Sequence, residues 1–198
     1  MIFPITKSKY KIIRHVFEHD GVKISKLLKE TSVSQRVGYK HIKKLSKTGI
    51  IKDQSKGTLR IIKPELRTET GKLIYGIIEK QKEAELTQRN KKIKQSLTHL
   101  KNSSNQLGIK SIILFGEFIK EPGEQKIDIL LISDNNDKKV VTFLKECFNN
   151  VQNAVSARIM SEESFTKFRR NKKELFKQLF NNHICVYNTN FFSELIKS

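Results

Sequence analysis

The apolar positions of the N-terminal third recur first at helical spacing and then in strand-like runs. Ile12, Ile13, Val16 and Phe17 mark one face of a helix over residues 10–19, which Gly21 stops. Residues 24–31 read as a short second helix and Val33 fills the turn after it. Ser34 then caps a third helix whose buried side is Val37, His41, Ile42 and Leu45 and whose end is Gly49. Gly38 inside that helix costs about 1 kcal/mol of helix propensity relative to alanine, which points to close approach of a neighbouring helix. Ile50-Ile51-Lys52 and residues 58–62 follow as two short strands around a turn of Asp53-Gln54-Ser55-Lys56-Gly57.

Pro64 closes this unit, and a polar, helix-favouring connector runs from about Leu66 to Asn102. Leu73, Ile74, Ile77 and Ile78 form one apolar cluster in it, and Ile93, Leu97 and Leu100 a second; residues 79–85 between them are almost wholly hydrophilic. The first cluster can pack on the N-terminal unit or on its copy in a dimer and the second on the C-terminal part of the chain, although a plain spacer helix fits the same pattern. Beyond the connector the apolar runs alternate between strand and helix. A strand over 110–115, a glycine loop, a strand over 127–132 and a helix over 138–150 lead to a strand over 154–160. A helix over 161–181, a strand over 184–187 and a short helix over 191–196 complete the chain. The expected fold class is α+β or α/β with a mixed sheet, in three parts: 1–65, a connector over 66–106, and 107–198.

Charge sharpens this division. The 198 residues carry a net charge of +19. Residues 1–63 hold 16 lysines and arginines against 4 acidic residues, whereas residues 107–198 hold 14 against 11. Such asymmetry is the footprint of a polyanion binder, because each cation placed on a phosphate releases a condensed counterion; general solubility in a lysine-rich chain is the competing explanation. A composition of 37% hydrophobic and 30% charged residues suits a globular chain rather than a disordered one. No apolar run approaches the roughly 20 residues of a membrane helix, and Met1-Ile2-Phe3-Pro4 lacks the apolar core of a signal peptide, so a cytoplasmic location and no membrane partner are expected. Cys147 and Cys185 stand apart from each other and from any histidine cluster, as packed thiols would.

Residues 7–63, ending in Leu45-Ser46-Lys47-Thr48-Gly49-Ile50-Ile51, resemble a winged helix-turn-helix domain of the archaeal and bacterial repressor type. On the third helix Gln35, Arg36, Tyr39, Lys40 and Lys43 lie away from the apolar stripe and would face a major groove, with Gln35 and Arg36 able to make two-pronged contacts with base edges. Lys43, Lys44, Lys56 and Arg60 suit phosphates. A solvated helix face would carry the same residues. The resemblance implies double-stranded DNA as partner and a homodimer that reads two half-sites.

The C-terminal part carries a second resemblance. Ser111-Ile112-Ile113-Leu114-Phe115-Gly116-Glu117-Phe118, followed by Gln125-Lys126-Ile127-Asp128-Ile129-Leu130-Leu131-Ile132, resembles the signature of the minimal nucleotidyltransferases, in which one strand ends in Gly-Ser and the next begins Asp-hydrophobic-Asp. Glu117 stands in place of that serine and Lys126 in place of the first carboxylate, while Asp128 remains. The third strand, Val155-Ser156-Ala157-Arg158-Ile159-Met160, offers Ser156 and Arg158 where active members often hold another acid. Residues i and i+2 of a strand share a face, so Lys126 places a cation where Mg²⁺ would need a ligand. Asp128 suits an ion pair with Lys126 or Arg158, the loop acids Glu121, Glu124 and Asp134 are replacement ligands or simply solvated, and the Gly116 turn can still present N–H groups to a phosphate.

The combination is similar to archaeal proteins that fuse the two domains. It implies a DNA-binding transcriptional regulator whose C-terminal domain, a pseudoenzyme, serves dimerisation, contact with a protein partner or ligand sensing, with no cofactor. The alternative is an active, antitoxin-like nucleotidyltransferase that uses Mg²⁺ and a nucleoside triphosphate on a partner protein or RNA. A purely structural adaptor is a third reading.

Overall fold

The computed structural model describes residues 5–19, 21–57, 59–119, 126–135, 138–151 and 154–197, with the side chains of Lys56 and Arg89 outside that description. The chain is α+β and divides into two compact units that meet in sequence between Ile78 and Glu79. Among the described residues no helix is long and apolar enough to cross a membrane.

The first unit opens with α1 (Lys7–Phe17), which starts earlier than the apolar spacing predicts because the Thr6 hydroxyl accepts from Lys9 N–H at 3.4 Å. A two-residue strand β1 (Val22–Lys23) leads into α2 (Ile24–Thr31) and, after Ser32 in the left-handed region, α3 (Gln35–Lys47). Ser34 is the N-cap residue of α3 without making a side-chain cap bond. Gly38 is buried against α2: a Cβ there would lie 2.2 Å from Leu28 Cδ2, so the expected close approach is present. Val37 is 40% exposed, contrary to the predicted buried stripe, which instead follows Gly38, Ile42 and Leu45. At about 100° per residue Val37 falls on the flank of that arc.

The hairpin is longer than its sequence implies. Strands β2 (Ile51–Lys56) and β3 (Leu59–Pro64) pair from Ile51↔Pro64 to Lys56↔Leu59, so Asp53 to Lys56 belong to a strand and not to a turn. Gly57, at φ +60, begins the short connection, and a tight hairpin loop needs such a residue. β1 joins the other edge of β3, giving a sheet of order β1-β3-β2. Helix α4 (Glu69–Arg89) starts where Thr68 Oγ1 accepts from Gly71 N–H at 3.0 Å and donates to the Gly49 carbonyl. In its first half Tyr75 and Ile78 are buried, the Tyr75 ring stacking 6.4 Å from Phe17, whereas Leu73 and Ile77 are exposed.

The connector is two helices. Asn90 interrupts it and caps α5 (Lys91–Ser103), its Oδ1 accepting from Ile93 N–H at 3.2 Å. In the second unit β4 (Ile109–Phe115), a 3-10 turn (Glu117–Ile119), β5 (Lys126–Ser133), α6 (Lys138–Cys147), β6 (Ala154–Met160), α7 (Glu162–Asn171), α8 (Lys173–Asn181), β7 (His183–Tyr187) and α9 (Thr189–Ile196) follow in order. The single helix predicted over 161–181 is thus two, parted at Lys172. The sheet has the order β6-β5-β4-β7 and is mixed, with only β5–β6 parallel. Strand alternation gives it two apolar faces. Ile112, Leu114, Ile129 and Leu131 share one core with Ile93 and Leu97 of α5 and Val140 and Leu144 of α6. The helices α7, α8 and α9 bring an aromatic cluster together, in which the Phe165 ring lies 6.1 Å from Phe176 and 5.7 Å from Phe192.

Edge strand β7 is closed by side chains from the hydrophilic run over 79–85. Glu79 is fully buried; its Oε2 accepts from Cys185 N–H at 2.5 Å and its Oε1 takes the Lys82 ammonium at 2.7 Å. An unpaired strand edge inside a core needs such an acceptor, and the Glu79 side chain supplies it.

Candidate functional site

Burial of Gly38, Ile42 and Leu45 turns the opposite face of α3 to solvent. Arg36, Lys40, Lys43 and Lys47, at i, i+4, i+7 and i+11, fall on that face and all four are exposed. Gln35, Tyr39 and Lys44 are exposed beside them. Lys47 is absent from the sequence-derived set, although its spacing from Lys43 carries the signal. The helix is about 20 Å long and no acidic residue lies on it. His41 holds α3 to the start of α1, its Nε2 lying 2.9 Å from Ser8 Oγ. Burial, and then the cations Lys9, Lys44 and Lys40, lower its pKa, so the imidazole is neutral at pH 7. A shallow recess of about 480 Å³ flanks the start of α3 between Lys7 and Lys11 on one side and Ser34 and Val37 on the other.

Arg60 is not the free phosphate ligand that the sequence implies. Its Nε and Nη2 bond the Asp53 carboxylate at 2.9 and 2.5 Å, and its guanidinium lies 5.5 Å from the centre of the Tyr39 ring. The hydrogen bond to Asp53 raises the Arg60 pKa. The hairpin therefore presents Arg60 already neutralised and braced against the exposed face of α3. The Lys56 side chain lies outside the described residues.

In the second unit the structure brings Gly116, Lys126 and Asp128 together. Phe115 pairs with Asp128 across β4 and β5, and Ser156 pairs with Asp128 across β5 and β6. Lys126 Nζ lies 3.0 Å from Asp128 Oδ1, so Lys126 rather than Arg158 is the ion-pair partner. Gly116 has φ +90, and a Cβ on it would meet Asp128 Oδ2 at 2.9 Å; both the backbone and the carboxylate require glycine there. Asp134 pairs with Lys110 at 2.5 Å, and Glu121 and Glu124 lie outside the described residues. One carboxylate occupied by an ammonium does not fit a pair of divalent ions, and among the described residues no group of three acids, histidines or cysteines could hold a metal.

Next to this motif is a pocket of about 380 Å³ between the sheet face of Phe115, Leu130 and Met160 and the helices α7 and α8, which contribute Phe168, Leu175 and Leu179. Arg158 lines it and has no acidic partner among the described residues; Glu117, on the same lining, has an interaction of its own. Comparison of the chain with protein-family models, curated proteins and solved structures finds no match.

Proposed function

We propose that this chain is a DNA-binding transcriptional regulator, acting in the cytoplasm as a homodimer. In this reading residues 1–65 are a winged helix-turn-helix unit that lays α3 in the major groove. The C-terminal unit is a nucleotidyltransferase-like domain without transfer chemistry. The observation that carries the reading is the exposed Arg36, Lys40, Lys43, Lys47 stripe on a helix that presents no acid. A helix about 10 Å across fits a groove about 12 Å wide, and cations spaced along one face meet the phosphates that border it. The Lys126–Asp128 ion pair speaks against the enzymatic alternative, because it places an ammonium where a metal ion would be needed.

The test is binding of the full chain to duplex DNA, including the sequence upstream of its own coding region, across a salt series. Affinity falls steeply with salt, and Lys43→Ala or Lys47→Ala each lowers the slope of log K against log salt by about two for the dimer, one from each subunit. Arg36→Ala changes sequence preference, and Arg60→Ala changes the slope less than Lys43→Ala because Asp53 already neutralises it. A salt slope unchanged when Lys43 and Lys47 are both removed would refute the assignment of α3.

A further inference from the structure

The pocket on the α7–α8 side of the second sheet has the chemistry of a small-molecule site. Its apolar walls are Phe115, Leu130, Met160, Phe168, Leu175 and Leu179, with Arg158, Glu117, Gln178 and Asn182 as the polar groups. Largely apolar concavities with a few placed polar groups are what bind small ligands. Its volume of about 380 Å³ equals the share of about a dozen water-sized groups, near the lower limit of ligand sites and small for a nucleoside triphosphate. Arg158, on β6 opposite Leu130, has no acidic partner among the described residues. Of the two acids nearby, Asp128 is paired with Lys126, while Glu117 shares the lining and sets the end of the pocket away from which an anion's carboxylate must lie. A planar guanidinium in the lining of an apolar recess selects a carboxylate or similar oxyanion over a cation.

We propose that this pocket binds a small amphipathic monoanion, a hydrocarbon or aromatic body of about a dozen heavy atoms bearing one carboxylate, with the body against Leu130, Met160 and Leu179 and the carboxylate on Arg158. The site is independent of the DNA-binding face, and its test reads the pocket alone.

Octanoate, octanol, octylamine and ATP are titrated into the full chain, followed by calorimetry and by amide shifts of residues lining the pocket. Octanoate binds and shifts the Leu130, Arg158 and Leu179 amides, octanol binds more weakly, and octylamine does not bind there. Arg158→Met weakens octanoate roughly 10-fold or more and leaves octanol within about two-fold, the loss expected of a charge-assisted hydrogen bond. Leu175→Trp, a change at a half-exposed position that leaves the core intact, fills the recess and abolishes both. The proposal is overturned if octanoate affinity is unchanged in Arg158→Met, if Leu175→Trp leaves binding intact, if ATP is the tighter ligand, or if octanoate shifts no pocket amide. Failure on any of these counts leaves the salt dependence of DNA binding unaffected, so the two readings fail separately.

Discussion

Replacing Glu79 by alanine removes the acceptor that closes the edge of the second sheet, and the structure sets the size of the loss. Glu79 is fully buried and Lys82 is 8% exposed, so deleting the carboxylate leaves an ammonium with almost no water around it. Breaking a buried pair from one side costs about 3–5 kcal/mol, and the orphaned Cys185 N–H adds about 1–3 kcal/mol. Against the roughly 5–15 kcal/mol that holds a domain folded, this is a large share of the second unit's stability. Urea unfolding followed by circular dichroism measures the loss. Alkylation of Cys185, which is fully buried, localises it, with Cys147 as the internal reference for opening elsewhere in that unit. Glu79→Ala is expected to speed alkylation of Cys185 more than that of Cys147. Adding Lys82→Met to Glu79→Ala restores about 3 kcal/mol, because the uncompensated charge is gone while the unpaired N–H remains. A loss below about 1 kcal/mol, or no recovery on removing Lys82, would show that the ammonium relaxes to water and that the pair does not hold the edge.

Two other predictions concern the same scaffold. Gly71→Ala, which favours the helix by about 1 kcal/mol on propensity alone, is expected to destabilise the first unit by a few kcal/mol, because its Cβ would lie 1.8 Å from the Glu65 carbonyl oxygen; a thermal melt that rises would refute this. His183 is fully buried beside Phe180, and burial lowers its pKa from 6.5 to about 4, so its contribution is complete above pH 6.5 and lost as pH falls towards 4, by roughly 3 kcal/mol. His183→Phe should remove about one proton's worth of the slope of stability between pH 6.5 and 5, leaving the share of His15 and His41, whose pKa values are displaced the same way.

What the sequence reveals depends on whether burial or pairing decides the element. Gly38 is legible because glycine within a helix has few explanations other than close packing, and Leu28 supplies that packing. The strand at Val22–Lys23 is not, because two residues carry no periodicity and form a strand only once Ile62 lies opposite. Polar composition conceals the strand character of Asp53 to Lys56. In the paired register Asp53 sits diagonally across from Arg60, and this explains why an arginine that looks free for phosphate is already bound. Glu79 and Lys82 are concealed for a related reason: an acid and a base three apart on a helix look the same whether they face water or a strand edge. On α3 the exposed Gln35, Arg36, Tyr39, Lys40, Lys43 and Lys44 follow from the apolar stripe, and Lys47 has the same spacing. Val37, by contrast, looks like part of the stripe and is exposed because it lies on its flank.

Lys126 and Arg158 lie on one face of the second sheet, whereas Glu117 sits in the 3-10 turn that follows β4. Alternation along β5 puts Lys126, Asp128 and Leu130 on the same side, and the parallel register sets Ser156, Arg158 and Met160 beside Asp128, Leu130 and Ile132. A face that holds several divalent charges needs an excess of carboxylates. Here Asp128 is balanced by Lys126, and the next row offers a guanidinium over apolar side chains. Gly116 keeps the backbone close to Asp128, and no side chain fits between them. Such a face would favour the proposed anion with its own apolar body over a metal-bound triphosphate, because a single paired carboxylate is a poor ligand for divalent ions and a guanidinium attracts a single oxyanion.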